Sequence, residues 1–212
     1  MARDTAEEIF EQYLNNLEYK FDYESNKGVG KKPDYLVYAK QEFLAEVKSF
    51  YENDLYLDTE KQLKETGTAQ FGQSSDDLYR PIREKINIAQ KQLKPNAQNR
   101  PTLVVLFCLE KFRHIIDISN RNLFFSIYGN EEWVLSKENT TIKINPKKAK
   151  VGPKRNTTIS AVAVIEKSGF DIPPRLRIIH NYFTKAPFDF DTFSSNDEHI
   201  YFDKSGQLVG KI

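Results

Sequence analysis

Ile9, Phe10, Tyr13, Leu14 and Leu17 recur on one stripe of a 3.6-residue period, and Ile82, Ile86, Ala89 and Leu93 recur on another. Both patterns predict amphipathic helices with one buried face. Thr5 stands where it can cap the first helix, while Pro81 suits the first turn of the second and Pro95 closes it. Between them, Pro33-Asp34-Tyr35-Leu36-Val37-Tyr38-Ala39 and Glu42-Phe43-Leu44-Ala45-Glu46-Val47-Lys48-Ser49-Phe50 are rich in aromatic and branched side chains. Such side chains suit a pleated surface, and the polar Lys40-Gln41 between the runs reads as a tight turn, so the segment predicts an antiparallel hairpin. A turn over 39–41 sets Asp34 opposite Glu46, and a turn over 40–42 sets it opposite Lys48. In either register the Cβ atoms lie about 5 Å apart. The period of two places Glu46 and Lys48 on one face and Ala45 and Val47 on the other.

The same reading predicts a first strand over Tyr19 to Tyr23 and a fully buried strand in the apolar run Thr102 to Leu109. Further on, residues 123–128, 160–165 and 176–180 are short β-prone runs punctuated by Gly, Pro and Asn, so the second half is expected to be mostly strand. Residues 51–79 are polar with little periodicity, apart from a short helix expected within Asn53 to Lys64. A long insertion directly after Lys48 would flank whatever that residue serves. Lys27-Gly28-Val29-Gly30-Lys31-Lys32 is a basic, glycine-containing loop just ahead of Asp34, and no phosphate-cradle motif accompanies it.

Composition narrows the class. In 212 residues, 39% hydrophobic and 13% aromatic content suffices for a real core. Thirty-one basic residues against thirty acidic give a net charge of +1, so a polyanion-binding surface has to come from local clustering. Such a cluster exists: Lys143, Lys147, Lys148, Lys150, Lys154 and Arg155 follow one another with no carboxylate from Ile142 up to Glu166, a pattern suited to a phosphate backbone. Acidic residues around Asp189, Asp191, Asp197 and Glu198 offset it and are expected at the surface. The one cysteine, Cys108, lies in the apolar run and reads as core, which fits a reducing cytoplasm, and no secretory or membrane-spanning segment is apparent. His114, His180 and His199 are scattered without zinc spacing, and no nucleophile-elbow motif occurs.

Chemistry gives the hairpin its interest. Mg²⁺ prefers hard oxygen ligands, so Asp34, Glu46 and the Val47 carbonyl can supply part of an octahedron completed by water and a phosphate oxygen. Lys48 is then placed to orient or help deprotonate a water, or to offset charge developing on a phosphorane. On the second helix Lys85, Ala89 and Gln92 share a stripe, so Gln92 can turn toward the sheet and hydrogen-bond a water or a phosphate. On the first helix Glu7 borders the buried face, Glu8 points away, and Glu11 competes with Glu7.

Pro33-Asp34 with Glu46-Val47-Lys48, preceded by a helix carrying Glu7-Glu8-Ile9-Phe10-Glu11 and followed by a helix ending Ala89-Gln90-Lys91-Gln92-Leu93-Lys94, resembles the PD-(D/E)xK nuclease superfamily over roughly residues 5–108. The resemblance implies an α/β fold with a restriction-endonuclease-like core: a central mixed β-sheet flanked by helices, here with a β-rich C-terminal extension. It implies a nuclease-like core over 1–110 and an extension over 111–212 packed on the same domain, or one single domain. It further implies that Asp34 and Glu46 are metal ligands, Lys48 the catalytic lysine, a first-helix carboxylate such as Glu7 an auxiliary ligand, and Gln92 a polar residue facing the site. The expected cofactor is Mg²⁺, with Mn²⁺ able to substitute. The expected activity is endonucleolytic hydrolysis of nucleic acid, with DNA favoured, no membrane partner, and room for a homodimer. The other class consistent with these elements is a catalytically inactive nuclease-like domain acting as a nucleic-acid-binding or protein-interaction module; the intact Glu-x-Lys triplet favours catalysis.

Overall fold

The computed structural model describes residues 4–23, 32–50, 61–68, 79–108, 118–135, 140–152, 154, 156–167, 169, 171–202 and 208–211. The first helix, α1 (Thr5–Asn16), starts one residue earlier than expected. Asp4, not Thr5, is its cap, accepting hydrogen bonds from the amides of Ala6 (2.8 Å) and Glu7 (3.0 Å). Glu7 reaches back to the Asp4 amide at 3.1 Å, which closes a capping box and satisfies otherwise orphaned donors.

Strand β1 (Lys20–Tyr23) pairs antiparallel with β2 (Tyr35–Tyr38), which pairs antiparallel with β3 (Phe43–Phe50). After α2 (Arg80–Leu93) the chain enters β4 (Thr102–Cys108), parallel to β3, with every side chain buried. That uniform burial is what an interior strand with both faces covered requires. Helix α3 (Asn120–Tyr128) leads into a separate two-stranded sheet of β5 (Asn130–Leu135) and β6 (Thr140–Asn145). The main sheet resumes with β7 (Ala161–Glu166), parallel to β4, then β8 (Arg175–His180), β9 (Glu198–Phe202) and β10 (Leu208–Lys211). The order β1-β2-β3-β4-β7-β8-β9-β10 makes one eight-stranded mixed sheet from both halves of the chain. Its two faces carry two cores. Ile9, Phe10, Tyr13 and Leu14 of α1 cover one face through Val37, Ala45, Val47 and Val105. Ile82, Ile86 and Leu93 of α2, with Leu123 and Ile127 of α3, cover the other through Leu44, Val104 and Leu106. The protein is thus α/β, a mixed sheet flanked by helices. No helix among the described residues is long and apolar enough to cross a membrane.

Two expectations are corrected. Residues 123–128 are helical, not a strand: Ser119 caps α3 by accepting from the Asn122 amide, and Leu123 and Ile127, four apart, are both buried against α2 and the sheet. Aromatic and branched residues favour strands only where a pleated surface awaits them, and here a cap and a helical packing face decide otherwise. Asp197 is buried, not superficial; it accepts from Tyr13 Oη (2.5 Å), the Leu176 amide (2.6 Å) and the Ser194 amide (2.8 Å), tying the C-terminal segment to α1. Residues 61–66 are helical and exposed, whereas 24–31, 51–60, 69–78 and His114 lie outside the described residues.

Candidate active site

The hairpin adopts the first of the two expected registers. Tyr35 faces Ala45, Leu36 faces Leu44 and Val37 faces Phe43, so one step further sets Asp34 across from Glu46. Asp34 precedes the first residue of β2, and its side chain continues the ladder there. Asp34 Oδ2 accepts the Val47 amide at 2.8 Å, and the Asp34 amide donates to Glu46 Oε2 at 3.1 Å. Lys48 joins from the same face of β3. Its Nζ lies 3.8 Å from Asp34 Oδ2 and forms an ion pair with Glu46 Oε1. Two carboxylates and one ammonium therefore share one patch, on the face of the sheet that α2 covers.

Glu46 is the unusual member. It is wholly buried, and Oε1 receives no hydrogen bond in good geometry although the Lys48 ammonium stands against it. Burial, and secondly the negative charge of Asp34, push its carboxyl up to about 8, with Lys48 opposing the shift. A buried carboxylate beside a second one in this way favours an added positive charge. The donors are also of the right kind for a hard cation: two carboxylates, with the Val47 backbone turned toward Asp34. Its N–H bonds Asp34, and the carbonyl of a strand residue points to the same side as its N–H. These residues fit Mg²⁺ with several positions left to water. Among the described residues no group of three or more His, Cys, Asp and Glu side chains converges.

The other expected residues fall at varying distances. Gln92 is half-buried on α2 and donates through Nε2 to the Lys32 carbonyl at 3.1 Å, so it holds the backbone two residues ahead of Asp34. Glu7 lies on α1, across the sheet, where its carboxylate accepts from the Asp4 amide and Tyr23 Oη (both 3.1 Å). Glu11 is buried on the same helix and accepts from Tyr35 Oη at 3.1 Å. Neither is brought to Asp34 and Glu46 by these bonds. Lys147 and Lys148 are exposed in a 3₁₀ turn (Pro146–Lys148) and Lys150 is half-buried after it. Lys154 is exposed, Arg155 lies outside the described residues, and so does the Lys143 side chain.

Two features escaped the sequence reading. Lys85 is half-buried on α2 with Nζ 5.8 Å from the centre of the Phe50 ring; burial, then the charge of Lys48, lowers its hold on a proton. The stripe it shares with Gln92 was the available signal. The other is a histidine pair. Nineteen residues apart, His180 Nε2 and His199 Nδ1 meet at 2.9 Å because β8 and β9 run parallel, and His180 stacks on Tyr201 at 4.4 Å. Burial holds both rings neutral, with His180 lowered to about 3. Comparisons of the chain with protein-family models, with curated proteins and with solved structures return no match.

Proposed function

We propose that this chain is a metal-dependent nuclease with a restriction-endonuclease-like core of the PD-(D/E)xK kind, cleaving phosphodiester bonds, DNA in preference to RNA. The observation that carries the reading is Glu46. A stability-driven sequence gains little from a buried carboxylate set against Asp34 with one ammonium between the two, whereas a cation site needs that excess of negative charge. Asp34, Glu46 and the Val47 carbonyl would hold Mg²⁺ or Mn²⁺. When bound, the ion would polarise a phosphate oxygen and lower the pKa of a bound water.

The remaining work falls to side chains already in position. Lys48, within 3.8 Å of one carboxylate and paired with the other, would orient the attacking water and offset charge on the phosphorane. Lys85 adds a second cation on the α2 side, and Gln92 steadies the Lys32 to Asp34 backbone that presents the first carboxylate. The test is cleavage of linear, circular and single-stranded DNA by wild type and Asp34→Asn, each with Mg²⁺ and with EDTA. Activity that needs Mg²⁺ and disappears in Asp34→Asn supports the reading. Inactivity of the wild type with every substrate, or full activity of Asp34→Asn, refutes it.

A further inference from the structure

Bordering its buried face, α2 carries two polar side chains seven residues apart, Lys85 and Gln92, two helical turns or about 10 Å from one another along the axis. Gln92 reaches the Lys32 carbonyl, two residues ahead of Asp34, and Lys85 stands by the Phe50 ring, with Nζ 5.8 Å from its centre. Phe50 lies two residues beyond Lys48 on β3, on the same face and about 6.6 Å further along the strand. Helix α2 thus runs antiparallel to β3 over Asp34, Glu46 and Lys48, with Gln92 at the carboxylate end of the patch and Lys85 at the Lys48 end.

Ile82 and Ala89, three before Lys85 and four after it, are buried, and Lys85 itself is half-buried. Among the described residues its ammonium meets no carboxylate and no hydrogen-bond acceptor; the Phe50 ring is its contact. Burial, then the charge of Lys48, lowers its hold on a proton, while Glu84 and Asp4 act the other way more weakly. Two ammonium groups that feel one another, one of them without a carboxylate partner, favour an added anion. The patch is also open to one, since the side chains of Lys48 and Asp34 keep 18% and 14% of their surface exposed.

We propose that Lys85 is a substrate ligand of the candidate active site, its ammonium taking a second phosphate of the nucleic-acid strand whose reacting phosphate lies at Asp34, Glu46 and Lys48; this rests on the nuclease reading above and deepens it. With a divalent ion held by Asp34 and Glu46, the carboxylates are neutralised and both ammonium groups are left over, an excess that two phosphodiesters balance and one does not. The step from Lys48 to Phe50 is also of the order of the spacing between successive phosphates along an extended strand. A polynucleotide therefore meets both ammonium groups at once, whereas a lone phosphate meets one. The competing role is a lysine whose stem merely covers apolar surface, and a methionine would fill that role as well.

The test is binding of a fluorescently labelled DNA duplex by anisotropy in EDTA, over a salt series from about 50 to 200 mM, for wild type, Lys85→Met, Lys85→Arg and the control Lys185→Met. Lys185 is exposed, and its amide donates to the Thr157 carbonyl ahead of β7, at the end of the parallel strands away from Phe50. Lys85→Met is expected to bind roughly five- to tenfold more weakly at about 100 mM salt and to flatten the log–log slope by about 0.9, with Lys85→Arg and the control keeping the wild-type slope. Its urea midpoint should equal or exceed that of wild type, because Met keeps the apolar stem and removes a half-buried charge. An unchanged slope in Lys85→Met, an equal loss in the control, or a lowered urea midpoint together with a binding loss that Arg does not restore overturns the proposal. So does a Lys85-dependent slope that millimolar inorganic phosphate abolishes at constant ionic strength, which would mark a small-anion site. Binding is read without metal and cleavage with Mg²⁺, so the two failures are distinguishable: Lys85-dependent binding by a protein that never cleaves DNA refutes the nuclease reading alone, and Mg²⁺-dependent cleavage with Lys85→Met equal to wild type in both assays refutes the role of Lys85 alone.

Discussion

Replacing Glu46 by Gln isolates the electrostatics of the site from any reaction. In the folded protein the Glu46 carboxyl is raised from the ordinary 4.5 to about 8, chiefly by burial and then by Asp34. Each pKa unit corresponds to about 1.4 kcal/mol, so keeping this group ionised costs at most roughly 5 kcal/mol at pH 8. Gln keeps an oxygen for the Asp34 amide, and the shift to about 8 already contains the opposing pull of Lys48, so the expected gain at pH 8 is on the order of 4 kcal/mol. The sign follows from proton binding. With the folded pKa above the unfolded one, the native state holds the extra proton between pH 4.5 and about 8, so wild-type stability falls as pH rises through that window, by up to about 1.4 kcal/mol per unit. Glu46→Gln lacks this contribution. Urea denaturation of both proteins at pH 5, 6, 7 and 8 should show the variant more stable at pH 8 and the advantage shrinking toward zero at pH 5. Titrations elsewhere cancel in the difference because distant sites are close to additive. Mg²⁺ should raise the melting temperature of wild type and not of the variant, since a ligand bound only by the native state stabilises it. Parallel pH profiles, or a variant less stable throughout, would refute the claim that Glu46 is held in an unfavourable charge state.

Lys48→Ala should leave the Mg²⁺-induced thermal shift largely intact and slow single-turnover cleavage by about 10² or more, the loss expected for a positioned acid-base group. Asp34→Asn should weaken the Mg²⁺ affinity read by titration calorimetry, since it removes a charge from a hard-cation site. His180 and His199 are neutral in the fold with lowered pKa values, so the unfolded chain takes up protons that the native state refuses. Stability should therefore fall as pH drops below about 6.5, by up to about 1.4 kcal/mol per pH unit for each ring, and His180→Phe/His199→Phe should flatten that limb in denaturation experiments. Leu123→Ala should cost about 2–5 kcal/mol in urea denaturation, the range for truncating a fully buried leucine; a cost below about 1 kcal/mol would contradict the packing of α3 against α2.

What the sequence determined by itself was local. The stripes of α1 and α2, the buried run of β4 and the hairpin over 33–50 are each written in contiguous periodicity, so the patch of Asp34, Glu46 and Lys48 could be read from a turn and a period of two. The capping box of α1 was written there as well, in Asp4 and Glu7, one residue from where the cap was placed. Residues 123–128 show the limit: their β-prone composition was legible, but the choice of helix depended on a face offered by α2 and the sheet, elements distant in the chain. Tertiary structure alone decided that Glu46 is buried against Asp34 with one ammonium shared between them, which turns a common charge pattern into an electrostatic demand. It alone brought Tyr13 to Asp197 and His180 to His199, contacts spanning 184 and 19 residues. Side-chain periodicity is a property of neighbours along the chain, whereas burial, and with it the strength of every charge, depends on which distant segments close over a residue.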